Sequence, residues 1–79
     1  VELQKMCYLV PNPTRDYFKA LSHYTINSVQ VFDLAGKLLI EEKLNHFEAL
    51  IDVSDFAAGT YIVKINTVKG SVEKKMIVQ

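Results

Sequence analysis

Side chains able to do acid–base, nucleophilic or metal chemistry are few in this chain, and they are scattered. The two histidines, His23 and His46, have neither the i, i+4 spacing nor the neighbouring cysteines of a zinc site. They read as solvent-exposed residues in loops. Ser22 stands beside His23, and Ser54 beside Asp55, but catalysis needs a nucleophile held against its base in space, which adjacency in sequence does not provide. Glu41 with Glu42, and Asp52 with Asp55, offer paired carboxylates that a solvated strand end and a turn cap explain equally well. The three glycines, Gly36, Gly59 and Gly70, are dispersed one to a turn, so no glycine-rich phosphate loop forms. The single cysteine, Cys7, has no partner for an intramolecular disulfide and lies in the apolar run Met6 to Val10, where it reads as a buried, inert thiol. The expectation is a chain that is not an enzyme and uses no cofactor and no metal.

The elements that carry these residues are set by length and composition. Seventy-nine residues make one domain with one core. A chain of this size buries only about 60–65% of the surface its unfolded form exposes, so its stability is marginal. Nine basic and nine acidic side chains cancel. That removes the broad attraction needed for non-specific binding to nucleic acid or to a membrane surface, and neither is expected as a partner. No apolar run approaches the roughly 20 residues of a membrane helix, and no signal peptide is apparent. Because the sequence starts at Val1, it is expected to be an excised piece of a longer protein.

Read in order, the chain alternates short apolar runs with turn residues. Met6 to Val10 is a first strand, stopped by Pro11-Asn12-Pro13, where the prolines fix φ and push their neighbours away from helix. Tyr17 to Leu21 is a second strand, with Ser22-His23-Tyr24 blurring its end. Ser28 to Leu34 is a third, with Val29 and Val31 on one face. Asp33-Leu34-Ala35-Gly36-Lys37 supplies a carboxylate for the following N–H groups and a glycine for a left-handed position, which makes a hairpin turn. Leu38 to Leu44 returns as a fourth strand, with helix as its competitor because Leu and Glu favour helices. Asn45-His46 breaks the chain again. Phe47 to Val53, Thr60 to Thr67 and Val72 to Val78 complete the set, the last two joined by a turn at Lys69-Gly70. About seven short strands between Gly, Pro, Asn and Asp turns indicate an all-β, immunoglobulin-like antiparallel β-sandwich.

The stretch from Asp55 to Ile65 organises the rest. Ala57-Ala58-Gly59 lacks bulk, and Gly59 can adopt a positive φ. Beyond it Tyr61, Val63 and Ile65 share one face. A Tyr two residues past such a corner, with Phe56 as an apolar anchor, fits either a tyrosine corner, in which the phenol bonds back to the turn, or a hairpin with a buried Tyr. Lys74-Lys75 ahead of Met76-Ile77-Val78-Gln79 also has two readings: edge lysines that discourage aggregation, or a terminus recognised by another protein.

Taken together, several stretches resemble the type A C-terminal sorting domains of the Por, or type IX, secretion system of Bacteroidetes. They are Pro11-Asn12-Pro13, Val29 to Lys37, Ile51 to Ser54, Phe56 to Ile65, Gly70, and the ending Lys74 to Gln79. The resemblance spans about Tyr8 to Gln79, and it implies a domain at 8–79, preceded at 1–7 by the end of an upstream linker and the start of the first strand. It also implies an address rather than an activity. Such a domain directs a precursor already in the periplasm through an outer-membrane translocon. A sortase-like cysteine protease then removes it, and the cargo is secreted or anchored at the outer membrane and cell surface. By that likeness Lys37, Lys74, Lys75, Met76, Ile77, Val78 and Gln79 form the recognised surface. Pro11, Asn12, Pro13, Asp33, Gly36, Phe56, Gly59, Tyr61 and Gly70 shape the fold. Val10 departs from the pattern, since an aromatic residue commonly precedes Pro-Asn-Pro. The competing reading is an immunoglobulin-like spacer or carbohydrate-binding module of a surface protein, with Tyr24, Phe32 and Phe47 as platforms for glycan.

Overall fold

The computed structural model describes residues 2–79. A 3-10 helix at Leu3–Met6 leads into five strands: β1 (Cys7–Val10), β2 (Tyr17–Phe32), β3 (Leu38–Asp52), β4 (Gly59–Thr67) and β5 (Gly70–Val78). All strand pairings are antiparallel. β2 is the spine. β3 follows one of its edges throughout, β1 and then β4 occupy the other in succession, and β5 pairs with β4. An isolated parallel bridge between Thr14 and Val78 draws the end of β5 back to the β1–β2 turn, so the curled sheet forms a half-barrel.

The all-β antiparallel expectation holds, but the expected seven strands are five. The second and third expected strands are one long β2, and the fourth and fifth are one long β3. The apparent breaks at Ser22-His23-Tyr24 and Asn45-His46 are irregularities inside paired strands, with register shifts between Leu21 and Ile26 and between Ile26 and Ser28. At the bend the Ser22 hydroxyl accepts the Tyr24 N–H at 3.0 Å, and His46 Nδ1 accepts the Glu48 N–H at 3.4 Å. These local bonds replace ladder bonds, and a bulge of this kind looks like a turn in sequence because the period is interrupted. The second shift, between Ile26 and Ser28, moves the buried positions from even to odd numbers. Phe18, Ala20, Ser22 and Ile26 are buried before it, Val29 and Val31 after it, and both halves of β2 face one core.

That core holds Phe18, Ile26, Ile51, Ile65 and Met76 as its largest fully buried side chains. Each contributes about 1.5–3 kcal/mol of transfer free energy. Leu3 packs against the core from the 3-10 helix. Gln4 of the same helix donates to the Glu73 carbonyl at 3.0 Å, and Lys74 Nζ donates to the Gln4 carbonyl at 2.8 Å. Residues expected to end a linker therefore dock on β5; Val1 lies outside the described residues. His23 and His46 also differ from expectation, since both are exposed positions on strands, β2 and β3, and not in loops.

Candidate functional site

The corner before β4 is built by a short turn and a tether. The Phe56 N–H donates to the Val53 carbonyl at 2.9 Å, and the Tyr61 hydroxyl donates to the Ala57 carbonyl at 2.6 Å. The Phe56 and Tyr61 rings pack with centroids 5.0 Å apart. Of the two readings of Tyr61, the tyrosine corner is the one found. Gly59 has the positive φ expected of it, +158°, a value that residues with a Cβ rarely adopt, so glycine and phenol tether shape this corner together. At the β2–β3 turn a glycine and a carboxylate combine. Gly36 has φ +91°, and Asp33 Oδ1 accepts the N–H groups of Ala35 and Lys37, each at 2.9 Å. The Asp33 N–H also donates to the Lys37 carbonyl at 3.0 Å. On β3, the Asp52 carboxylate is bound by Ser54, whose side chain and N–H hold its pKa below the ordinary value.

The strand register brings the terminal strand and the Asp33–Lys37 turn onto one outer face. Ile62 lies opposite Phe32 on β2 and opposite Lys75 on β5, and Thr60 lies opposite Ile77. A shallow groove of about 330 Å³ opens here, lined by Phe32, Asp33, Leu34, Gly36, Ile62, Lys64 and Glu73. The next row down is polar and continuous across four strands. Gln30 Nε2 donates to Glu41 Oε2 at 2.8 Å, Asn66 Nδ2 donates to Ser28 Oγ at 2.8 Å and Gln30 Oε1 at 3.2 Å, and Ser71 Oγ donates to Asn66 Oδ1 at 2.6 Å. This chain of bonds spans β3, β2, β4 and β5, favouring the register that forms the groove.

The residues of the terminal strand divide by alternation. Met76 and Val78 are in the core, Lys75, Ile77 and Gln79 face outward, and Lys74 is half-buried with its ammonium on the Gln4 carbonyl. Ile77 is 46% exposed. Lys37 is exposed at the end of its turn. The Pro-Asn-Pro turn lies against the outer edge of this same strand. Asn12 Nδ2 donates to the Lys75 carbonyl at 2.9 Å, and Asn12 Oδ1 accepts the Ile77 N–H at 3.1 Å. Thr14 continues the contact, its N–H donating to the Ile77 carbonyl at 2.9 Å and its carbonyl accepting the Gln79 N–H at 2.7 Å. The Thr14 hydroxyl donates to the Tyr17 carbonyl. Pro11, Pro13, Thr14, Arg15, Asp16, Tyr17 and Gln79 line a second cleft of about 370 Å³. Gly70, at φ +134°, turns β4 into β5.

Sequence reasoning named Asn12 and Lys75 but did not join them, and it missed Gln4, Thr14 and Ile62. The one available signal was an Asn between two residues that have no N–H. Elsewhere, Cys7 is buried with its thiol 3.7 Å from Ser22 Oγ. His23 packs on Tyr8 with centroids 6.0 Å apart. Among the described residues, no group of three or more His, Cys, Asp or Glu side chains could hold a metal.

Fold and site together define a small antiparallel β-domain whose Pro-Asn-Pro turn is bonded to its last strand. The chain belongs to the secretion system C-terminal sorting domain family, which it matches over residues 8–79. It is a type IX sorting signal of the kind carried by exported cargo. It is 38% identical over 71 residues to an ulvan lyase of Nonlabens ulvanivorans, an alignment that covers 86% of this chain and 13% of that protein. The chain thus spans a small fraction of the relative's length. The sorting tail implies export to the cell surface or secretion.

Proposed function

We propose that this domain is a folded, non-catalytic address. On this reading it guides a periplasmic precursor through the outer-membrane type IX translocon. A sortase-like cysteine protease then removes it, leaving the cargo released or anchored at the outer membrane. The unit that carries the address is 8–79, with the 3-10 helix as its lead-in from the cargo. Its relative is an ulvan lyase, and we take the cargo here to be a secreted or surface enzyme. Lys75, Ile77 and Gln79 meet the machinery together with Lys37, while Met76 and Val78 fix which face β5 presents and Lys74 ties it to the 3-10 helix. The observation that carries this reading is the strand register, Phe32 opposite Ile62 opposite Lys75, which sets the Asp33–Lys37 turn beside the outward side chains of the terminal strand. The immunoglobulin-like description applies if β2 and β3 are each divided at the bend, giving seven segments in two layers.

The test is a reporter carrying a periplasmic signal and this domain, expressed in a type IX-competent cell. It should reach the surface, and deletion of Lys75 to Gln79 should trap it in the periplasm; unchanged export of the deletion would sink the assignment of the signal to β5. The carbohydrate-binding alternative is not favoured. Lys69 lies over the half-buried Tyr24, Phe32 is half-buried in the groove, and Phe47 is the one of the three that is exposed, at 55%.

A further inference from the structure

An outermost strand turns the N–H and C=O of every second residue away from its sheet. On β5 these residues are Ser71, Glu73, Lys75, Ile77 and, just past the strand, Gln79. Five of their outward groups already have partners in the chain: the Glu73 carbonyl takes Gln4, the Lys75 carbonyl and Ile77 N–H take Asn12, and the Ile77 carbonyl and Gln79 N–H take Thr14. Thr14 does this with its backbone and Asn12 with its side chain. A carboxamide offers one carbonyl and an N–H donor, the same pair that a peptide unit of a neighbouring strand would offer. The prolines fix φ on either side of Asn12, and at this point the strand is met by the Asn12 side chain in place of its own backbone. Aspartate in place of Asn12 would lack the donor, and glutamine would reach a methylene too far.

We propose that Asn12 is a positioning residue for recognition: its carboxamide substitutes for a backbone peptide and clasps the edge of the terminal strand. The sorting machinery then reads β5 through the side chains of Lys75, Ile77 and Gln79, and not by adding a strand to it. The inference rests on the reading of β5 as the sorting signal. It also specifies the partner's chemistry. A partner that meets a lysine ammonium two residues from an exposed isoleucine, on an edge clasped from the Lys75 carbonyl to the Gln79 N–H, presents a carboxylate beside an apolar pocket. A partner that recognised the strand by β-augmentation would instead need the free edge that the clasp denies it.

Two variants of the exported reporter separate these modes. Asn12→Leu keeps the side chain's shape and loses both bonds. Asn12→Asp keeps the acceptor for Ile77 N–H and sets a carboxylate against the Lys75 carbonyl. In the Leu variant, amide exchange at Ile77 should speed by roughly tenfold or more, while the Val63 and Ile65 amides keep their protection, and surface export should fall; the Asp variant should lie between. Should the Leu variant fail to fold, the Asp variant is read by the same pair of measurements. Wild-type protection at Ile77 would overturn the clasp, and so would full export despite lost protection. Increased export would show that the machinery adds a strand to an opened edge. Deletion of Lys75 to Gln79 is the control for the parent reading. If the deletion is exported, the assignment of the signal to β5 fails; if it is retained while an unclasped Asn12 variant is exported normally, only the clasp fails.

Discussion

β3 and β5 both end the sheet, and their edges are protected in different ways. On β5 Gln4 of the 3-10 helix, Asn12 of the Pro-Asn-Pro turn and Thr14 just after it meet the outward backbone, five bonds in all. β3 pairs only with β2 and has no strand on its other side among the described residues. It relies on charge, with Glu41, Glu42, Lys43 and Glu48 exposed along it, the usual defence of an uncovered edge. The side chains differ as well. β5 buries Val72, Met76 and Val78, whereas the first half of β3 buries none of its residues fully and leaves Leu38 and Leu39 exposed. Charge keeps other chains away without fixing where a strand lies. A clasp fixes position to within a hydrogen bond, as suits the strand proposed to carry the address.

The sharpest test of this contrast is truncation on each edge. Met76→Ala should cost about 2–5 kcal/mol in chemical denaturation, as loss of a fully buried side chain does, and Leu38→Ala should change stability by no more than about 0.5 kcal/mol. Equal effects would mean that the two edges are anchored alike. Replacing Glu41, Glu42 and Lys43 together by Thr should next increase concentration-dependent self-association in sedimentation relative to wild type, because among the described residues it is charge that guards β3. If self-association is unchanged, something else covers that edge. Tyr61→Phe removes the tether of the corner that feeds β4, and so of the strand that seats β5. About 0.5–1.5 kcal/mol should be lost, with exchange rising first at the Ala58 to Thr60 amides.

The smallest effect is expected at Asp52, on the β3 side. Ser54 lowers its pKa in the folded state, so its contribution is present above the unfolded carboxylate value and is lost as pH falls through the lower folded value. The acid limb of the stability curve should therefore be slightly flatter in Asp52→Asn than in wild type below about pH 4. Identical acid limbs would show that Ser54 does not discriminate between the charged and neutral forms.

Much of this was legible in the sequence because it depends on neighbours in the chain. The Asp33 to Lys37 turn needs a carboxylate two to four residues ahead of the N–H groups it binds, and a glycine to reach φ +91°. The corner needs Tyr61 four residues past Ala57, and the alternation of Met76, Ile77 and Val78 dictates that two of the three face the same way. The strand count was not legible, because a bulge and a turn both interrupt the period at Ser22 to Thr25, and only the resumption of β2–β3 pairing at Ile26 and His46 beyond the interruption tells them apart. Nor was the position of His23 and His46, for the same reason.

What the sequence determined by itself is therefore local: an all-β chain, its turns, its corner, and a family pattern ending in Lys74 to Gln79. Tertiary structure decided which of those motifs meet. The Pro-Asn-Pro turn and the terminal strand are 63 residues apart where Asn12 binds Lys75, and no periodicity carries information over that distance. Their meeting follows from the curl of one sheet about one core, which returns the last strand to the first turn and sets the Asn12 side chain and the Thr14 backbone along its edge.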